Sequence, residues 1–434
     1  MHFRSPKSPL RRHSEVELTV SRLGARGDGI AEHQGVPVYI PLAAPGDLVR
    51  VRIGSPRGEG VVGELLELVR PGPERAAAPC RHFGACGGCT LQHLAAPSYD
   101  SWKADLVRRA LDHRGLGEVA VAPTVTVPPG TRRRVTLAAR QGRRSLFLGF
   151  HERQSNRIID LEECPVARPE IVALLPGLRE LLAGILAESE AADIAITLLD
   201  DGLDVVIAAA RAPDLDVREK LAGFAEAQDL ARLSWQVGEE PADPVAHRRA
   251  GIRRFGGVDV VVPPAGFLQA SDEGEAALTR LVLDGVAGAA KVADLFAGVG
   301  TFTFPLAAQA RVVAVDGDAA AIRALDHAAR SASSAGRVEP ALRDLFRNPL
   351  DAAELSQFDA VVFDPPRAGA RDQAAELARS PVPVVVGVSC NPASFARDAR
   401  TLVDGGYCLD LVTPVDQFVW SAHVELVGIF RRPA

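Results

Sequence analysis

A cysteine, two carboxylic acids and an amide in the C-terminal half of the chain have the types and settings to do chemistry. Cys390 leaves the apolar run VPVVVGVS and begins the turn Cys390-Asn391-Pro392. A thiol there can meet a substrate and act as a nucleophile, helped if a helix start or a cation lowers its pKa. An inert core cysteine is the other reading of that position. Asp364 ends the apolar run FDAVVF at Asp364-Pro365-Pro366. Ligands of open parallel sheets sit at the carboxyl ends of strands, which places this carboxyl in a cleft unless it serves as a helix cap or turn residue. Glu425 is the single acid amid apolar neighbours in HVELVGIF; it reads as a buried base or as a paired core carboxylate. Gln269, in GFLQAS, is a polar residue on a turn in an apolar setting. Cys408, inside YCLDLV, has no comparable setting and reads as structural.

A second constellation precedes these residues. KVADLFAGVGTFTFPLAAQARVVAVDGD, from Lys291 to Asp318, reads as strand, glycine turn, helix and strand. Glycines at such a turn let a ligand approach the backbone, and an acid ending the second strand can accept hydrogen bonds from ribose hydroxyls. The separation of Gly298 and Asp316 therefore suits a nucleoside cofactor. A helix is expected over residues 319–334 and a strand ending near Leu342, before Arg343-Asp344.

Four of the six cysteines form a third group. Cys80, Cys86 and Cys89 have the spacing C-x5-C-x2-C, and Cys164 in DLEECPVA is a plausible distant fourth. Disulfides are not expected in a large cytoplasmic chain, so gathered thiolates suggest a metal. Zinc favours two close pairs of cysteines. Three clustered cysteines and a remote one followed by proline fit a [4Fe-4S] cluster better, with zinc and unligated core cysteines as alternatives. Such a cluster closes a long loop and reads as structural.

The elements that must position these residues divide the chain into regions. Residues 1–12 form a basic arm expected to be disordered. Residues 13–72 carry short alternating strands with turn signals at Gly27-Asp28-Gly29 and Pro45-Gly46-Asp47, the pattern of a small OB-like barrel. Pro71-Gly72-Pro73 is a linker. Residues 73–260 form a central α+β domain with the cysteines, and residues 261–434 a catalytic domain. An amphipathic helix is expected near 98–115, with Trp102, Leu106, Ala110 and Leu111 near one face; the family resemblance set out below implies that it packs on that last domain. Arg132, Arg133, Arg134, Arg140, Arg143, Arg144, Arg153 and Arg157 form a dense run opposed only by Glu152, an electrostatic footprint for phosphates unless it is a solvated sheet face. His247, Arg248, Arg249, Arg253 and Arg254 make a second basic group.

Composition restricts the class. The 434 residues are 47% hydrophobic and 24% charged, with mean hydropathy +0.07. No apolar run reaches the roughly 18–20 residues of a membrane span, and the N-terminus lacks the apolar core of a signal segment. A cytoplasmic location is expected. A formal net charge of -6 gives no global sign of nucleic-acid binding, so such a partner must be argued from local clusters.

Together these residues resemble the uracil-C5 RNA methyltransferases, which make 5-methyluridine, and most closely the iron-sulfur branch acting on ribosomal RNA. The likeness runs through a TRAM-like barrel, CRHFGACGGC with Cys164, FLQAS, DLFAGVGTFTFPLA, DPPRAGA, VSCNPASFARD and WSAHVE. DPPRAG, SCNP and HVE in this order are its specific part. The resemblance implies a class I, Rossmann-like α/β methyltransferase domain with a mainly parallel seven-strand sheet, behind an N-terminal TRAM barrel that binds RNA. It implies S-adenosyl-L-methionine and a [4Fe-4S] cluster as cofactors, a monomer, and RNA as partner, with 23S ribosomal RNA favoured over transfer RNA. Cys390 would add to C6 of uracil, Glu425 would remove the C5 proton, and Asp364 would hold the uracil edge and orient the thiol. Gln269, Phe296, Gly298, Thr301, Asp316, Asp344 and Asp364 would line the cofactor or its junction with the base. Family members often have asparagine where Thr301 stands and glutamate where Asp316 does; threonine still donates a hydrogen bond, and aspartate still reaches a ribose. The competing readings are an amino-methyltransferase, which needs no cysteine, a cytosine-C5 enzyme, and an RNA-binding module with an inactive pocket.

Overall fold

A computed structural model describes residues 10–331 and 336–433. Most of the basic arm, up to residue 9, lies outside them, as does the end of the helix expected over 319–334, which is described as Ala319–Ser331. Among the described residues, no helix is long and apolar enough to cross a membrane.

The chain forms two compact units. The first takes in the chain up to Leu106, with Glu152–Ser155 and Trp420–Ala422. Its strands are Glu15–Thr19, Arg22–Leu23, Gly29–His33, Val36–Ile40, Leu48–Arg57 and Gly60–Arg70. They make one six-stranded sheet in which all pairings are antiparallel except that of Val36–Ile40 with Gly60–Arg70. Period-two alternation decides which face is core: Val49, Val51 and Ile53 are fully buried, while Arg50 and Arg52 point outward to glutamates on the flanking strands.

The second unit holds the remainder. Its central sheet has six strands in the order Asp243–His247, Arg232–Val237, Gly202–Ala209, Ala191–Leu199, Arg134–Gln141 and Leu146–Gly149. The helices Pro169–Ala183 and Leu215–Ala227 bury Leu174, Leu178, Leu182 and Leu221 against Ile194, Ile196, Val205 and Ile207.

The catalytic sheet is built from β1 (Lys291–Leu295), β2 (Arg311–Asp316), β3 (Val338–Leu342), β4 (Ala360–Phe363), β5 (Val384–Ser389), β6 (Cys408–Asp416) and β7 (Glu425–Arg431). Their order is β3-β2-β1-β4-β5-β7-β6, with β7 antiparallel to both of its neighbours. The short strand Val125–Thr126 adds parallel to β6, so the sheet has eight strands rather than the seven expected. β1, β4 and β5 are near-continuous apolar runs because helices cover both faces of a parallel sheet. The strand order reverses between β1 and β4, and ligands of such sheets bind beyond the carboxyl ends of strands at that point.

The arginine-rich stretch is only partly a free basic face. Arg133 is 1% exposed and donates to Asp272, Glu275 and the carbonyl of Gln269. Arg153 pairs with Asp28, and Arg143, itself 90% exposed, pairs at the surface with Glu188; Arg140, Arg144 and Arg157 are exposed as well. The second basic group is also matched by acids: Arg248 and Arg249 pair with Asp229, Arg253 with Asp200, Asp272 and Glu275, and Arg254 with Asp259. Apart from Asp259, five positions from Arg254, these partners lie 19 or more positions away in sequence, so the charge density of the arginines alone overstates their field.

Arg133 has no water to fall back on, and removing one member of a buried ionic network leaves the others uncompensated. Arg133→Met is expected to lower the unfolding free energy by about 3 kcal/mol, near the small end of that class because Arg253 still partners Glu275. Urea unfolding midpoints check this.

Candidate active site

The register of the catalytic sheet brings the chemical residues to one edge. β4 and β5 run parallel with Phe363 opposite Gly387. Asp364, just past β4, and Cys390, just past β5, therefore leave the sheet at the same end. β7 runs the other way with Leu426 opposite Ser389, so Glu425, its first residue, begins where β5 stops. Val415 of β6 faces Glu425, and Gln417 follows β6 onto the same edge. Asn391 caps the helix Pro392–Asp404 by accepting from Ala393 N, which fixes the turn behind the thiol. His423, two residues before β7, is exposed and sets its ring edge-on to Phe418.

A chain of amides crosses this edge. Gln417 Oε1 accepts from Ala270 N at 2.8 Å, Gln417 Nε2 donates to Gln269 Oε1 at 2.7 Å, and Gln269 Nε2 donates to Asp364 Oδ2 at 3.1 Å. Both glutamines are buried, and the Glu425 Oε2 atom is buried with no partner.

The same edge concentrates negative charge. Burial raises the pKa of Glu425 and then Asp364 raises it further, while Gln417 opposes. Asp364 is also raised by burial, against the hydrogen bond from Gln269. Cys390 is pushed up to about 11 by burial and by the fields of Glu425 and Asp364, with Arg367 and a backbone contact pulling weakly the other way. A thiol lowered by a helix start or a cation is thus not what this site holds: burial, with the two carboxyls, outweighs both.

The nucleoside-type turn lies at the neighbouring strand ends. Phe296, the residue after β1, has φ +62° and Gly298 has φ +56°. A Cβ added at Gly298 would meet nothing within 4 Å, so the backbone there is open to a ligand. Asp316 Oδ2 accepts from Gly298 N at 2.8 Å and Oδ1 from Asp318 N at 2.7 Å, so this carboxylate braces the glycine turn while keeping lone pairs for a ribose. The helix after the turn is short, Thr303–Ala307, and Thr301 precedes it on the turn, half-buried. Asp344, exposed, accepts from Phe346 N. Phe346 is half exposed and its ring lies 5.4 Å from that of Phe296, and the two line a cavity with Leu345, Gly369 and Arg371. An open turn, an acid at the end of the next strand and two aromatic rings fit a cofactor with an adenosine end.

Three members of this site escaped the sequence reading. Asp294, in β1, is fully buried, accepts from Thr303 Oγ1 at 2.6 Å and leaves Oδ1 without a partner; an acid inside an apolar strand was its signal. Phe346 and Gln417 had no comparable signal.

Of the expected metal ligands, Cys80, Cys86 and Cys89 lie in the first unit and Cys164 in the second. Cys80, Cys86 and Cys89 are half-buried in the loop after the first unit's sheet, where Cys86 Sγ accepts from Gly88 N. Cys164 belongs to the second unit and packs against the apolar core of the central sheet. Among the described residues, no group of three or more His, Cys, Asp or Glu is placed to hold a metal ion. The [4Fe-4S] expectation rests on spacing and resemblance alone.

Burial raises the Asp294 carboxyl to about 7, with Asp364 and Asp316 adding to it. A carboxyl raised on folding contributes stability that is complete below its unfolded pKa and is lost as pH rises through the folded value. Wild type is therefore expected to lose stability relative to Asp294→Asn between about pH 4 and pH 7, with a slope of up to roughly 1.4 kcal/mol per pH unit. Denaturant midpoints across that range check it.

A family model described as tRNA (Uracil-5-)-methyltransferase matches residues 282–432, and a TRAM domain model matches residues 9–55. An uncharacterized RNA methyltransferase of Caulobacter vibrioides is 45% identical, covering 96% of this chain and 100% of its own. The 23S rRNA (uracil(1939)-C(5))-methyltransferase RlmD of Halomonas elongata is 33% identical, covering 96% of this chain and 89% of its own. Among solved structures, the Pyrococcus abyssi tRNA (uracil-54, C5)-methyltransferase in complex with S-adenosyl-L-homocysteine superposes with TM-score 0.76 at 25% identity, covering 95% of this chain and 99% of that one. The chain belongs to the uracil-C5 RNA methyltransferases, enzymes that use S-adenosyl-L-methionine, and carries the TRAM domain at its N-terminus.

Proposed function

We propose that this enzyme methylates C5 of a uridine through a covalent bond between Cys390 and C6, and that its substrate is 23S ribosomal RNA. The convergence of Cys390, Asp364 and Glu425 on one strand edge carries the reading. The relative from Halomonas elongata, named for 23S rRNA, favours ribosomal over transfer RNA.

C5 of uracil is a poor nucleophile. Addition of the Cys390 thiolate to C6 moves the ring's electron pair toward O4 and makes C5 carbanion-like. Asp364, as an anion, is the neighbouring acceptor for the thiol proton, and it holds the uracil edge. S-adenosyl-L-methionine, when bound, supplies an electrophilic methyl on a sulfonium. Glu425 then removes the C5 proton, and elimination releases Cys390 with the double bond restored. Gln269, Phe296, Gly298, Thr301, Asp316, Asp344 and Asp364 would hold the cofactor or its junction with the base, joined by Phe346. The target base must leave its stack, at a cost of about a few kcal/mol, which contacts from the TRAM sheet to flanking RNA would offset.

The four cysteines are proposed as [4Fe-4S] ligands on their spacing, with a structural role and no part in the steps above. Iron and sulfide assay of anaerobically purified protein tests this: about four irons per chain are expected, and a chain without iron removes the proposal.

Cys390→Ala is expected to abolish turnover and the covalent adduct with 5-fluorouridine RNA; retained turnover would instead favour an amino-methyltransferase. Glu425→Gln should form the adduct with ordinary uridine RNA and fail to release it, a loss of about 10²–10⁴-fold in turnover. Because Glu425 must be ionised and its pKa is raised, wild-type turnover should fall with decreasing pH well above the usual carboxylate range. Mapping 5-methyluridine in RNA from cells with and without the gene decides between ribosomal and transfer RNA.

A further inference from the structure

We infer that one face of the helix Pro392–Asp404 is a clasp on the loop after β4, making the wall of the cofactor cavity and the turn that bears Cys390 a single piece. Ser394 and Asp398 are its positioning residues. The inference rests on the reading of that cavity as the seat of the cofactor and of Cys390 as the nucleophile.

The sheet stops where the chemistry starts. The parallel pairing of β4 with β5 ends at Phe363 and Gly387, and Asp364 and Cys390 lie just past it. Backbone polar groups in the loop that follows Asp364 must find partners elsewhere, and the helix after Cys390 supplies them. Asn391 Nδ2 donates to the carbonyl of Arg367 at 3.0 Å, and Ser394 Oγ lies 3.2 Å from the same oxygen. Arg397 Nη2 donates to the carbonyl of Ala368 at 3.0 Å, and Asp398 Oδ2 accepts from Ala370 N at 2.8 Å. Asp398 Oδ1 accepts from Arg397 Nε at 2.8 Å, which fixes the two side chains against each other. Positions 391, 394 and 398 are three and four apart, the spacing that gathers side chains on one helix face.

The approach is close. Gly369 has φ +78°, and a Cβ there would stand 2.6 Å from Asp398 Oδ2 and 2.9 Å from Ser394 Cβ. Glycine is thus what lets the loop lie against the helix. The helix is in turn seated on the sheet by Phe395, whose ring occupies the space that a Cβ at Gly387 of β5 or Gly428 of β7 would take. Asp398 is 2% exposed and Ser394 6%, so neither can exchange its partners for water. Ala368, Gly369 and Ala370 of the clasped loop also line the cavity with Phe296 and Phe346. Whatever seats the adenosine end against that wall therefore fixes the Cys390 turn, and the coupling holds in both directions.

The test is a crossed one. Asp398→Asn keeps the shape of the side chain, but its single accepting oxygen cannot serve Ala370 N and Arg397 together. Its bonds reach the cavity wall and not the Cys390 turn, yet it is expected to slow formation of the covalent adduct with 5-fluorouridine RNA on the order of 5–10-fold at saturating S-adenosyl-L-methionine. Ser394→Ala removes a hydroxyl that reaches the carbonyls of Arg367 and Asn391 and no residue of the cavity. It is expected to weaken binding of S-adenosyl-L-homocysteine, measured by calorimetry, by about 5–10-fold. A role in stability alone would lower the urea midpoint and the fraction of competent enzyme while leaving the dissociation constant and the adduct rate constant at wild-type values. That result overturns the inference, as does a change of less than about two-fold in either crossed readout. Should Asp398→Asn fail to fold, Ser394→Ala decides by itself. Failure of the wild-type enzyme to bind S-adenosyl-L-homocysteine, or to form the adduct, would instead overturn the reading of the cavity or of the nucleophile.

Discussion

Carboxyl groups crowded into one water-poor edge of a sheet are the constraint on which this active site depends. Asp294, Asp364 and Glu425 lie where burial disfavours their anions, and each feels at least one other acid. Proton loss from one raises the requirement for a proton on another. The thiol of Cys390 shares that field and is held in its neutral form until the balance changes. A site built this way is complementary to positive charge, and a sulfonium cofactor brings it. Binding and ionisation are coupled by the same electrostatics that make the empty site reluctant to ionise.

What keeps such an edge folded is a set of bonds that lie off it. Arg133, below the surface of the second unit, holds the carbonyl of Gln269 and two acids at the start of helix Asp272–Gly285. The loop that presents Gln269 is thus tied to a buried ionic network. The side-chain amide of the same residue is tied to Gln417 and Asp364. Backbone and side chain are restrained from opposite directions, so few rotamers remain to be selected when substrate enters.

The arginines show why electrostatics must be judged on the folded chain. Their clustering between residues 132 and 157 suggests a phosphate track, yet Arg133 is interior and Arg143 and Arg153 pair with acids elsewhere in the chain. Arg50 and Arg52 on the TRAM sheet are likewise matched by glutamates. With a net charge of -6, the enzyme must recognise RNA through particular exposed groups and shape rather than through a bulk basic field.

Residue type and local spacing determined much of this protein before any folding was considered. Apolar runs ending in Asp364 and Cys390, and the glycine turn ending in a strand closed by Asp316, predict strand ends and a ligand there, because a parallel sheet buries its strands and exposes their carboxyl ends. Glu425 was visible as an acid in an apolar strand. The ionisation of Cys390, the pairing of the arginines and the hub made by Gln417 were decided only by tertiary structure. Each depends on partners tens to hundreds of positions away, brought together by strand register. Local sequence carries the propensity of a residue, whereas its pKa and its hydrogen-bond direction belong to whatever the fold places beside it.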